Sequence, residues 1–77
     1  MAVLPVAAIE QHGPHLPLAV DATLLQGVTD AALPHIAPAL PVLWLPPQNV
    51  GLSTEHTAFA GTLTLSPATV IALWSEI

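Results

Sequence analysis

The chain contains neither lysine nor arginine. Without cationic side chains it cannot neutralise phosphates, which excludes nucleic acid and anionic membrane surfaces as partners. Cysteine is absent too. That excludes a disulfide scaffold, a thiol nucleophile and a thiolate metal site, and it leaves the redox compartment open. Charged residues make up 6% of the 77 positions, where a complete soluble domain carries about a quarter. With 53% apolar residues and a formal charge of -5, the chain reads as an interior piece of a larger domain, much of its surface made to be covered. At this length a single unstapled core supplies little stability.

Long uncharged stretches raise the question of a membrane span. The run from Ala31 to Thr54 is long enough, but Pro34, Pro38, Pro41, Pro46 and Pro47 interrupt it, each removing a backbone donor, so no spanning helix is expected. The amino terminus has no positive region ahead of its short apolar stretch and does not resemble a signal peptide. The cytoplasm is the expected location.

What is present alternates between strand-like and helix-like segments. Residues Ala2 to Ile9 have the length and β-branched content of a buried parallel strand, weakened by Pro5. Gly13, Pro14 and Pro17 make a loop, and from about Asp21 the residues Leu24, Leu25, Val28 and Ala32 recur at helical spacing up to Pro34. Val42 to Leu45 reads as a second strand, and Gln48 to Ala60 as a loop. Leu63 and Leu65 alternate with Thr62 and Thr64, which predicts a short third strand with one wet face. Ser66 followed by Pro67 starts a final helix lined by Val70, Ile71 and Trp74. This order opens an α/β domain with a parallel sheet and flanking helices, incomplete in this chain. Ligand sites in such sheets lie beyond the carboxyl ends of the strands.

Glu10 stands at that position. Glu10 and His12 are two apart, so an extended backbone turns both side chains to one side. Asp21, near a helix start, can return a third ligand to the same place. A carboxylate can bridge two cations, and paired metals about 3.5–4 Å apart are a recurring hydrolytic device. Nitrogen and oxygen donors without sulfur suit zinc, manganese or iron. Three ligands do not close two metal sites, so the remaining ligands and the general acid are expected from chain beyond these residues.

The stretch LPVAAIEQHGPHLPLAVD resembles the first strand and first metal-binding loop of the creatininase family of creatinine amidohydrolases. VGLSTEHTAFAGTLTLS is similar to that family's next loop and the Gly-Thr after it. The resemblance covers nearly the whole chain, from Leu4 to the final helix. It implies that Glu10 binds one metal, His12 the other, and that Asp21 bridges them, with two divalent metals per subunit. It also implies a three-layer α/β/α domain, of which residues 1–77 would be the amino-terminal part, and assembly into homo-oligomers. The family generally carries a further metal-binding histidine in an Asn-Gly-His motif beyond this final helix, and no such motif occurs here.

The activity implied is metal-dependent hydrolysis of a non-peptide or small cyclic amide, such as the opening of creatinine to creatine. Relatives of that family include a deformylase of purine breakdown products and a peptidase of mycofactocin maturation, and these are the alternative substrates. A further alternative is a truncated, non-catalytic metal-binding fragment. Ser53, Glu55 and His56 are expected at the substrate mouth, or else in a capped turn around Gly51. His15 is expected to hydrogen-bond a ligand or hold the loop. His35 reads as structural at a helix end, Asp30 and Glu76 as solvated, and Trp44 and Trp74 as core or subunit contacts.

Overall fold

Proline decides the shape of the sheet. In a computed structural model, which describes residues 1–77, strand β1 (Ala2–Val3) runs parallel to β2 (Leu43–Trp44), with Ala2 opposite Leu43 and Val3 opposite Trp44. The Leu43 amide donates to the Met1 carbonyl and the Leu45 amide to that of Val3, both at 2.9 Å. The next rungs fail for a chemical reason: Pro5 has no N–H for the Leu45 carbonyl, and Pro47 has none for the Pro5 carbonyl. Gln48 supplies it instead, donating to Pro5 and accepting from the Ala7 amide, both at 2.9 Å. Pairing therefore resumes as Val6 opposite Gln48, one residue out of the earlier register. This is a bulge in the second chain segment. The continuous strands expected over 2–9 and 42–45 are accordingly shortened to two residues each, with an isolated bridge beyond.

The expected third strand is not a strand of this sheet. Leu63 forms a single antiparallel bridge with Ile9, and the Leu65 amide donates to the Gly51 carbonyl at 2.9 Å. Nor do its threonines form a wet face, although Leu65 is half-buried as well. Leu63 is 52% exposed, whereas Thr62 and Thr64 are half-buried and spend their hydroxyls on backbone amides of other loops. A buried N–H must find an acceptor, and that demand outranks the apolar pattern of a short segment.

Helix α1 (Val20–Ala32) has no side-chain cap, but Asp21 in its first turn complements the helix dipole. It runs into a 3₁₀ turn, Leu33–His35, at Pro34. Ala22, Leu25 and Thr29 are half-buried, while Leu24 and Val28, expected on the same inner face, are 62% and 68% exposed. Helix α2 (Pro67–Glu76) starts as the sequence predicts: Ser66 Oγ accepts from the Thr69 amide at 3.2 Å, and Pro67 opens the first turn. Of its expected apolar stripe only Val70 is buried, and Ile71 and Trp74 are exposed.

A parallel strand pair with two helices is α/β architecture. The molecule is a slab 46 × 32 × 14 Å, in which Pro5, Gly51, Ser53 and Val70 are the buried residues. Gly51 sits where strand and loop touch. A Cβ there would lie 2.8 Å from the Ala7 carbonyl oxygen, so only glycine lets the two backbones approach this closely.

Candidate metal centre

Glu10, Gln11 and His12 leave the end of the β1 line held on two sides. The Glu10 amide donates to the Leu18 carbonyl at 3.1 Å, and the Gln11 amide donates to Thr62 Oγ1 at 3.1 Å. Gly13 then turns the chain with φ of +81°, a conformation other residues adopt only with strain. The loop closes on Leu18, whose side chain packs against Gly61, a second positive-φ glycine. Asp21, on the first turn of α1, comes back to the start of the loop.

Three donors converge there. His12 Nε2 lies 3.3 Å from Asp21 Oδ1 and 3.9 Å from Glu10 Oε1, and Glu10, His12 and Asp21 each offer a ligand atom within 4.8 Å of the others. The histidine tautomer follows from its other nitrogen. Nδ1 lies 2.8 Å from the Glu10 carbonyl oxygen, an acceptor only, so Nδ1 must be the donor. A neutral ring then aims its Nε2 lone pair at two carboxylates. That arrangement is repulsive unless a cation stands between them, either a proton or a metal ion. Donor chemistry and geometry thus fit a divalent metal, with the ring oriented by a backbone carbonyl in the usual manner of ligating histidines. The same surroundings raise the His12 pKa above its ordinary 6.5. The Glu10 carbonyl hydrogen bond contributes most, the Asp21 and Glu10 charges add to it, and desolvation opposes them.

Glu10 has a second neighbour. The 3₁₀ turn Thr54–His56 brings His56 Nε2 to 3.8 Å from Glu10 Oε2 and 3.9 Å from Glu55 Oε1. Glu10, Glu55 and His56 form another three-donor group with ligand atoms within 4.8 Å. One carboxylate therefore serves both groups, Oε1 toward His12 and Oε2 toward His56. Ser53 caps the start of this turn by position but not by hydrogen bond. It is fully buried, and its Oγ has no partner. His15 is exposed, with its ring beside Gly13, and makes no hydrogen bond to Glu10, His12 or Asp21.

The sequence, which reads Gly61 and Thr62 as shaping the backbone, did not show how two threonines hold the site. Thr62 and Thr64 accept hydrogen bonds from Gln11 and Ser53, and the alternation with Leu63 and Leu65 disguised them as a wet strand face. The one available signal was their position directly after Gly61. Asp21 also borders an open groove of about 370 Å³ with Val6, Ala7, Ala8, Gly51, Leu52 and Trp74. A larger hollow of about 750 Å³ lies between α1 and the Trp44–Asn49 segment, away from every clustered donor. No helix is long and apolar enough to cross a membrane.

The chain has relatives among known proteins. The sequence model of the creatininase family, described as creatinine amidohydrolase, matches residues 1–77. The mycofactocin precursor peptide peptidase of Mycolicibacterium smegmatis is 37% identical over 78 residues, covering 99% of this chain and 32% of that protein. The proteins of the same name from Mycobacterium ulcerans and Mycobacterium tuberculosis H37Rv are 35% and 36% identical, each over 96% of this chain and 32% of their own length. The chain thus spans about a third of the curated relatives it matches.

Proposed function

The chain belongs to the creatininase family, and on that premise we propose that the full-length protein carrying it is a metal-dependent hydrolase of amide C–N bonds. The observation that carries the reading is the convergence of Glu10, His12 and Asp21 on one point, with His12 Nδ1 tied to a carbonyl and Nε2 aimed at both carboxylates. Glu10, His12 and Asp21 hold two divalent ions, zinc, manganese or iron, together with ligands from outside residues 1–77. Bound there, such an ion supplies Lewis acidity, polarising an amide oxygen and bringing a water toward ionisation near neutral pH.

This chain's own residues prepare the site. Glu10 and Asp21 contribute the negative charge that retains a cation, and the Glu10 carbonyl keeps the His12 ring in the ligating tautomer. His56 stands 3.8 Å from the second oxygen of Glu10. Glu55 and His56 face the substrate side, where Glu55 is exposed. Ser53 belongs to the same side in this proposal, since a buried hydroxyl without a partner is costly until a polar group reaches it.

For the substrate, the names of the relatives favour a peptide amide, while the description of the family favours a small cyclic amide such as creatinine. A layered α/β/α domain and assembly of several copies complete the proposal, supported by the exposed Leu24 and Val28 on α1. The test is metal analysis of the purified full-length protein, followed by hydrolysis assays on creatinine and on short peptides. Stoichiometric metal with turnover of either class supports the reading, and a metal-free, inactive protein defeats it.

A further inference from the structure

The two loops that meet at Glu10 and His56 share no backbone hydrogen bond between residues 9–13 and 51–56. What ties them is a third segment. Residues two apart in an extended segment place their side chains on the same side, and residues 62–65 use that alternation twice. Thr62 Oγ1 accepts from the Gln11 amide at 3.1 Å, while the Leu63 amide donates to the Ile9 carbonyl at 2.8 Å. Two residues on, Thr64 Oγ1 accepts from the Ser53 amide at 2.8 Å, while the Leu65 amide donates to the Gly51 carbonyl at 2.9 Å. Thr64 Oγ1 also donates to the Leu65 carbonyl at 3.1 Å, so its proton is committed.

We infer that Thr62 and Thr64 are positioning residues, a two-pronged clamp that sets the loop carrying Glu10 and His12 against the loop carrying Glu55 and His56. The inference rests on the metal reading above. Gln11 lies between the two ligands, so an unanchored Gln11 amide lets the Glu10 and His12 side chains swing relative to each other. The Ser53 amide immediately precedes the Thr54–His56 turn, so Thr64 fixes where His56 meets Glu10. Threonine suits both places: its hydroxyl accepts from an amide that makes no backbone–backbone hydrogen bond, and its β-branch favours the extended backbone.

The experiment compares Thr62→Val and Thr64→Val with Thr62→Ser and Thr64→Ser in the full-length protein. Three quantities are read: amide hydrogen exchange at Gln11 and Ser53, Co²⁺ affinity by competition titration, and the visible spectrum of the Co²⁺ form. Valine keeps the branched shape and removes the acceptor. Thr62→Val speeds exchange at Gln11 and Thr64→Val at Ser53. Each weakens Co²⁺ binding about tenfold, the lower end for partners that orient ligands, and alters the spectrum. Each serine variant restores the wild-type behaviour. Unchanged affinity and spectrum in both valine variants would overturn the clamp, as would losses that serine does not restore. A wild-type protein that binds no Co²⁺ defeats the metal reading itself and this inference with it, a result no comparison among variants can mimic.

Discussion

His12 donates from Nδ1 to the backbone carbonyl of Glu10, two residues earlier, at 2.8 Å. This local bond links two of the three clustered donors, because the residue whose carboxylate faces Nε2 also dictates, through its main chain, that Nε2 carries the free lone pair.

Removing any one of the three clustered donors should empty the site. His12→Ala, Glu10→Gln and Asp21→Asn in the full-length protein are each expected to weaken metal binding by more than about 100-fold, beyond the 10- to 100-fold typical of residues that only orient ligands. Elemental analysis after dialysis reads this directly. Retention of wild-type metal in all three would place the ligands elsewhere.

In the proposed site, proton and metal compete for Nε2, and they pull in opposite directions with pH. The folded-state pKa of His12 is raised above 6.5, so in the metal-free protein this group contributes stability that is fully present below the unfolded value and is lost as pH rises through the folded one. Metal affinity runs the other way, falling as the pH drops through that same range. Metal titrations and thermal melts between about pH 5 and 8 should show the two slopes with opposite sign, and His12→Gln should flatten both.

Gly51→Ala and Gly61→Ala are expected to destabilise the protein by about 1–3 kcal/mol each, for different reasons. At Gly51 the new methyl would meet the Ala7 carbonyl at 2.8 Å, and the backbone must move apart. At Gly61 φ is +91°, which strains any L side chain, and Leu18 Cδ1 stands 2.7 Å from the added carbon. Denaturant midpoints at fixed metal concentration measure both, and an alanine variant with an unshifted midpoint would refute the close approach at that position.

Ser66→Ala should remove the cap on α2 and lower stability by about 1 kcal/mol, while metal affinity stays within experimental error, since Ser66 touches Thr69 and none of the clustered donors. A parallel loss of metal would mean that the helix start and the site are coupled through the neighbouring Thr64–Leu65 segment.

The start of α2 at Ser66-Pro67 and the end of α1 near Pro34 were legible because their causes lie within one or two turns of chain: an oxygen cap, and a ring without an N–H. The clustering of Glu10, His12 and Asp21 was legible for a related reason, since Glu10 and His12 are separated by a single residue and Asp21 by one turn and a helix start. The faces of α1 and of residues 62–65 were legible only in part: Leu25, Ala32 and Leu65 are half-buried, while Leu24, Val28 and Leu63 are exposed. Periodicity reports which residues are alike, and in a chain more than half apolar it does not say which of two apolar faces looks inward.

By itself the amino-acid sequence determined the chemistry available to this protein: nitrogen and oxygen donors with no thiol, no cationic side chain to bind phosphate, and two candidate ligands on one loop with Gly13 and its prolines. Tertiary structure alone decided that Glu10 serves His12 with one oxygen and His56 with the other, and that Thr62 and Thr64 turn inward to hold both loops. Those contacts join residues 46, 51 and 11 positions apart. Hydrogen bonds over such separations arise from where the folded backbone leaves an amide unpaired, and no local spacing of side chains encodes that.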